Sequence, residues 1–240
     1  MDIGVPYRDW PVDATAAREM VDALPAEAWD RNTFRQDVLA DGAHNSSQAI
    51  LFKHEWHPSA STSGLQHFED LVYAWANERG FDPAPYMPIL REDTDVWPIY
   101  TLPDWKDYES VLGPLVEQSI APIKTKNGIV TRLALVRLAG GAKVAPHIDG
   151  QIMAEKAHRI HVPLSPSPTV EYKIGGKKFT MKMGRAYDFN NRWQHSVRNK
   201  GKRDRVNLFI DYYPNPGVSV YNPLQDLGPV YASAKAKRAN

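Results

Sequence analysis

The chain has 240 residues, of which 42% are hydrophobic and 24% charged, so it is long enough for one large domain or two small ones with an ordinary core. Its net charge of +1 gives no electrostatic footprint for nucleic acid or a membrane surface. The absence of cysteine excludes disulfides, iron–sulfur clusters, thiolate nucleophiles and zinc fingers.

In chain order, residues 14–24 have helical spacing, with Ala17, Met20, Val21 and Leu24 on one stripe and Pro25 closing it. Residues 47–56 read as a strand. A stronger helix is expected over 63–78, capped by Ser63, with Leu65, Phe68, Leu71, Val72 and Trp75 on its apolar face and Gly80 as the stop. Residues 96–100 read as a second strand and 104–120 as a third helix. From Gly128 onward the pattern changes. Short β-rich runs at 129–138, 143–148, 158–163, 169–174, 177–183, 186–189, 195–199 and 205–212 follow one another, separated by turns at Gly140-Gly141, Gly175-Gly176 and Gly201.

Eight short strands at this spacing predict a mainly β protein with flanking α-helices, folded as a jelly roll of the cupin-like, double-stranded β-helix kind. The expected organisation is a single domain over 1–240. It comprises a mixed support region at 1–125, the jelly-roll core at 126–214 and an irregular tail at 215–240 with a frayed basic end. No apolar run is long enough to span a membrane, and the first residues have neither the basic nor the apolar region of a secretion signal, so the expected location is cytoplasmic.

The residues that carry chemistry lie in the β-rich part. Side chains two apart on a strand share a face, so His147 and Asp149 are able to approach one ion. A third ligand has to come from a strand that folds back beside them, and His195 follows His147 by 48 residues. Two histidines and one carboxylate with open positions form the ligand set of a non-haem Fe(II) oxygenase. The other histidines fit less well. His67 and Glu69 fall in an expected helix, where residues two apart diverge by about 200°, and His54 and His57 flank Trp56 beside Pro58.

Two strands raise a second question. In 205–211, Arg205, Asn207, Phe209 and Asp211 alternate with Val206, Leu208 and Ile210; in 158–164, Arg159 and His161 alternate with Ile160, Val162 and Leu164. If the aliphatic face packs between the sheets, the arginines point outward. If the polar face lines the interior, a guanidinium there requires a carboxylate partner, which a bidentate 2-oxoglutarate carboxylate would supply.

The pieces Ala145-Pro146-His147-Ile148-Asp149, His158-Arg159-Ile160-His161-Val162-Pro163-Leu164, Gly184-Arg185-Ala186-Tyr187-Asp188-Phe189-Asn190-Asn191, His195-Ser196-Val197-Arg198-Asn199 and Asp204-Arg205-Val206-Asn207-Leu208-Phe209-Ile210-Asp211 together resemble the aspartyl/asparaginyl β-hydroxylase family. They cover about a third of the chain, in the family's order. The resemblance implies an Fe(II)- and 2-oxoglutarate-dependent dioxygenase that hydroxylates a C–H bond with O2. It implies that His147, Asp149 and His195 hold iron, that Arg205 pairs with the distal carboxylate of 2-oxoglutarate, and that Arg159 and His161 contact cosubstrate or substrate carboxylates. Animal members that modify peptides lack the acidic ligand. Asp149 therefore draws this chain toward bacterial members, some of which hydroxylate free amino acids, and away from halogenases.

The implied partner is a small-molecule or peptide substrate. A carboxylate on it is expected because Arg159, with help from Arg137 and Arg198, would otherwise be an uncompensated cation facing the cavity. Two other readings compete. A metal-dependent cupin enzyme without 2-oxoglutarate would not need Arg205, and a non-catalytic ligand-binding jelly roll would not need an intact triad.

Overall fold

The computed structural model describes residues 1–30, 46–55, 77, 97–101, 104–150, 152–166, 168–214 and 220–221. The strands are β1 (Tyr7–Pro11), β2 (Ser47–Glu55), β3 (Trp97–Thr101), β4 (Ile129–Leu138), β5 (Lys143–His147), β6 (His158–Pro163), β7 (Val170–Ile174), β8 (Lys177–Phe179), β9 (Arg185–Phe189), β10 (His195–Asn199), β11 (Arg205–Tyr213) and β12 (Val220–Tyr221). The helices are α1 (Thr15–Asp22), α2 (Trp105–Ile120) and the short α3 (Ile152–Lys156), with single 3-10 turns at Ala26–Trp29 and Ala121–Ile123. All of the helix expected over 63–78 except residue 77, together with His57, His67 and most of the tail, lies outside the described residues.

Two sheets form, ordered β1-β9-β6-β11-β4-β2-β3-β12 and β5-β10-β7-β8. The eight strands β4 to β11 divide equally between them, as a jelly roll requires. The first 101 residues extend the larger sheet through β1, β2 and β3. Every pairing is antiparallel except that of β12 with β3. The smaller sheet ends in a tight hairpin in which Ile174 faces Lys177 across Gly175-Gly176. Both glycines have positive φ, 52° and 85°, the backbone that a two-residue hairpin turn needs and that side chains with a Cβ resist.

Strand alternation divides the core in two. Leu133 and Leu135 on β4, Ile160 and Val162 on β6, and Val206, Leu208 and Ile210 on β11 share one face of the larger sheet, joined by Ile50 and Phe52 of β2. Helix α2 covers that face with Leu112, Leu115, Val116 and Ile120, whose three- and four-residue steps make one stripe. Ala17 and Val21 of α1 complete the layer. The second cluster, which includes Leu138, Val144, Tyr172, Ile174, Phe189 and Val197, fills the space between the sheets. Because the helices take the aliphatic face, the alternate residues of β6 and β11 are turned into the interior of the roll.

Strand β1 was not expected from its sequence. Tyr-Arg-Asp-Trp-Pro has no apolar alternation, because it is an edge strand whose contacts are divided between the layers. Trp10 packs on the helix-side cluster, while Tyr7 stacks on Phe179 with ring centroids 4.1 Å apart. Helix α3, five residues long, is too short for a periodic signal.

Candidate metal centre

His147 and His195 sit directly opposite each other in the β5–β10 ladder, with ring centroids 4.2 Å apart. Strand β5 ends at His147, one residue short of the expected 148, so strand alternation does not carry Asp149 to the same face. It lies in the loop beyond, after an Ile148 that is 54% exposed. The same-face approach nevertheless holds, because the loop is tied to the segment leading into β10. The Asp149 amide donates to the Asn191 carbonyl (3.2 Å), and Arg192 Nη1 donates to the Asp149 carbonyl (2.7 Å). Asp149 Oδ1 is 3.4 Å from His147 Nε2, and its Oδ2 is 3.8 Å from His195 Nε2. Among the described residues this is the one cluster of three whose ligand atoms converge, all within 4.8 Å of one another.

The donor set suits a divalent transition metal. Nδ1 of His147 lies 2.8 Å from the Ala145 carbonyl, and Nδ1 of His195 lies 2.9 Å from the Trp193 carbonyl. A carbonyl only accepts, so each Nδ1 carries the proton and each Nε2 presents a lone pair to the cluster, the tautomer a metal ligand needs. Burial alone would raise the Asp149 carboxyl. Arg159 and the two histidines outweigh it and hold the group well below the usual carboxylate range. Asp149 is therefore an anion without any ion present. Burial lowers the His195 imidazole and acts the same way on His147, but there the nearby Asp149 carboxylate and Ala145 carbonyl favour the protonated ring enough to outweigh burial and raise it.

Beside this cluster the inner faces of β6 and β11 are polar, as their alternation allows. Arg205 points inward and is 4% exposed. It forms no ion pair among the described residues, its Nε has no hydrogen-bond partner, and its guanidinium stands 5.8 Å from the Tyr172 ring centroid. Two residues on, Asn207 is fully buried and donates to Tyr172 Oη at 3.1 Å, while its Oδ1 is unpartnered. His161 is wedged between Phe189 and Phe209, both at 5.3 Å, with its Nδ1 sealed off and unpartnered. An inward guanidinium with no counter-ion, flanked by unsatisfied polar atoms, fits an anionic ligand such as 2-oxoglutarate.

Burial, then the nearby Arg205 and Arg159, pushes the His161 imidazole well below its ordinary value. The unfolded chain is protonated below about pH 6.5 while folded His161 stays neutral, so stability falls as pH is lowered through that window. A single such group contributes up to about 1.4 kcal/mol between pH 7.5 and 5.5. Urea unfolding at these two pH values should show a correspondingly smaller loss in His161→Phe than in the parent. Equal losses would remove His161 as the source.

Three expectations about cations need correction. Arg159 is not uncompensated: Asp211, directly across the β6–β11 ladder, takes its Nε and Nη2 at 2.9 and 2.8 Å, and its Nη1 donates to Asp149 Oδ2. Arg137 faces the helix layer, bound to Gln48 at 2.8 Å and lying over the Trp29 ring. Arg198 is exposed on the outside of the smaller sheet, opposite Glu171 and Lys143. None of the three is a free cation in the cavity. The Arg159–Asp211 fork was not foreseen because its partners lie 52 residues apart and meet only through strand register.

The profile of the family described as Aspartyl/Asparaginyl beta-hydroxylase matches residues 80–214, more than half of the chain. The chain belongs to the aspartyl/asparaginyl β-hydroxylase family. The match to this hydroxylase family takes in all three clustered residues and Arg205. No curated protein matches the chain. Among solved structures, it is similar to a 2OG-Fe(II) oxygenase family oxidoreductase from Burkholderia pseudomallei (TM-score 0.41, 16% identity, covering 51% of this chain and 64% of that one). It is also similar to the collagen prolyl hydroxylase of Paramecium Bursaria Chlorella virus-1 (TM-score 0.41, 9% identity, covering 88% and 96%). A prolyl-4-hydroxylase from Pseudomonas putida gives a TM-score of 0.39 at 12% identity, covering 88% and 93%. Membership rests on the sequence match and not on these distant likenesses. The enzyme class that goes with it is the hydroxylase. No helix of the described residues is long and apolar enough to cross a membrane.

Proposed function

We propose that this chain hydroxylates a C–H bond of an amino acid, an Asp- or Asn-type peptide residue or a related carboxylate-bearing small molecule, with Fe(II), 2-oxoglutarate and O2. The observation that carries this reading is the convergence of His147, Asp149 and His195 beside the inward Arg205, which has no ion pair among the described residues. His147, Asp149 and His195 would hold the metal. When bound, iron with 2-oxoglutarate and O2 supplies an oxidant strong enough for an unactivated C–H bond, the cosubstrate leaving as succinate and CO2.

The rest is the work of this chain's residues. Arg205 offers a fork to one 2-oxoglutarate carboxylate and so sets the cosubstrate's direction in the roll. Neutral His161 offers a hydrogen bond beside it without adding charge. Tyr172, Phe189 and Phe209 keep water away from that wall, which strengthens each polar contact within it. With Arg159 occupied by Asp211, the support for a carboxylate on the substrate is the family itself and no longer a spare arginine.

Two measurements test the reading. Adding 2-oxoglutarate to the anaerobic Fe(II) protein should give a weak visible charge-transfer band, which neither a cupin enzyme without cosubstrate nor a passive binding protein would show. A succinate-release screen over free amino acids, Asp and Asn peptides and small carboxylic acids, read by mass spectrometry, should find a product heavier by one oxygen atom. Turnover confined to uncharged amines or sugars would refute the substrate class.

A further inference from the structure

We infer that Asp211 is a positioning residue for the metal centre, acting through Arg159 on Asp149. The inference rests on the reading of His147, Asp149 and His195 as metal ligands. Asp211 is 1% exposed and Arg159 is 7% exposed, and the two face each other across the β6–β11 ladder. Two parallel contacts of 2.9 and 2.8 Å form a planar fork, so the guanidinium cannot turn without breaking both. The ring face of Phe209 lies 4.8 Å from the guanidinium carbon and closes one side. The remaining edge, Nη1, donates to Asp149 Oδ2.

That contact fixes how the carboxylate is turned. Oδ2 accepts from Arg159 and lies 3.8 Å from His195 Nε2, which directs Oδ1 toward His147 Nε2, at 3.4 Å. Asp149 sits in a loop and not on a strand, so backbone pairing does not by itself fix its χ angles. Its main chain is tied by Asn191 and Arg192, and its side chain by Arg159.

The charges explain why the arginine needs a second acid. A lone guanidinium against a ligand carboxylate repels an incoming divalent cation. Asp211 cancels that charge, leaving Arg159 to act as an oriented donor. Arg132 Nε lies 4.0 Å from Asp211 Oδ2, close enough to interact with its charge and too far to hydrogen-bond to it. Partners of metal ligands arranged in this way commonly change metal affinity by about 10- to 100-fold when removed.

The test is Co(II) binding by calorimetry together with the visible spectrum of the Co(II) protein, neither of which needs turnover. Asp211→Asn should weaken Co(II) binding by about tenfold or more and shift the visible bands, with Asp211→Glu restoring part of both. Arg159→Lys keeps the charge pair with Asp211, and with it the fold, yet one ammonium cannot span two acids. It should show the same loss, which keeps the test decisive if Asp211→Asn does not fold. Parent affinity and parent spectrum in Arg159→Lys or in folded Asp211→Asn would overturn the inference. So would an Asp211→Asn variant with unchanged Co(II) affinity and altered 2-oxoglutarate affinity, since Arg159 would then serve the cosubstrate. If the parent itself binds no Co(II), the metal reading falls first, and the positioning role falls with it.

Discussion

Replacing His195 or His147 by alanine is expected to abolish Fe(II)-dependent succinate formation while the protein remains folded. Both histidines already have the tautomer a ligand needs, so neither is replaceable by the other, and a two-ligand remainder cannot hold iron in the same place. The fold should survive because β5 and β10 are paired through their backbones. His195 meets the edge of Phe189 at 5.0 Å, so its truncation leaves a small void, and a loss of about 1–3 kcal/mol is expected there. Thermal unfolding separates the two effects. Fe(II) or Co(II) at about a hundred times its Kd stabilises a binding-competent protein by about 2.7 kcal/mol, and that increment should vanish in both variants. Full activity in either would exclude that histidine as a ligand.

The second large effect concerns Arg205. Removing one partner of a buried, hydrogen-bonded charge pair costs about 3–5 kcal/mol, and each 1.4 kcal/mol is about tenfold. Arg205→Ala should therefore raise the 2-oxoglutarate requirement by roughly two to nearly four orders of magnitude. Arg205→Lys should recover only part of this, because an ammonium cannot form the fork. The protein without cosubstrate should respond in the opposite direction. Arg205 is buried with no ion pair among the described residues, so Arg205→Met should leave the unliganded protein as stable as the parent or more so. Isothermal titration with 2-oxoglutarate and a urea melt of the unliganded protein check both. An unchanged 2-oxoglutarate affinity in Arg205→Ala would end its role as the carboxylate anchor.

Strands β4 to β11 were legible from Gly128 onward as short β-rich runs punctuated by Gly, Pro and Asn, signals carried within a few residues, although β8, Lys-Lys-Phe, ends at Phe179 and not at 183. Helix α2 was legible for the same reason, its apolar stripe being local. Strand β1 was not, since an edge strand with Tyr7 on one layer and Trp10 on the other has no single face to advertise. The candidate triad was legible through residue type: His147, Asp149 and His195 converge, although Asp149 lies in the loop beyond β5 and not on the strand. Which face of β11 looks inward stayed open, because alternation gives two faces and does not say which one the helices will cover.

The sequence by itself determined the β-rich half, the turns, the candidate ligands and the alternation of Arg205, Asn207, Phe209 and Asp211. Only the tertiary structure decided the rest. Helices α1 and α2 cover Val206, Leu208 and Ile210, and that choice turns Arg205 into the roll. The β6–β11 register sets Asp211 against Arg159, converting a cation expected to seek substrate into a donor held on Asp149. Local propensity reaches a few residues along the chain. Charge compensation between residues 52 apart is a property of strand register, and register follows from how the two sheets bury their apolar faces.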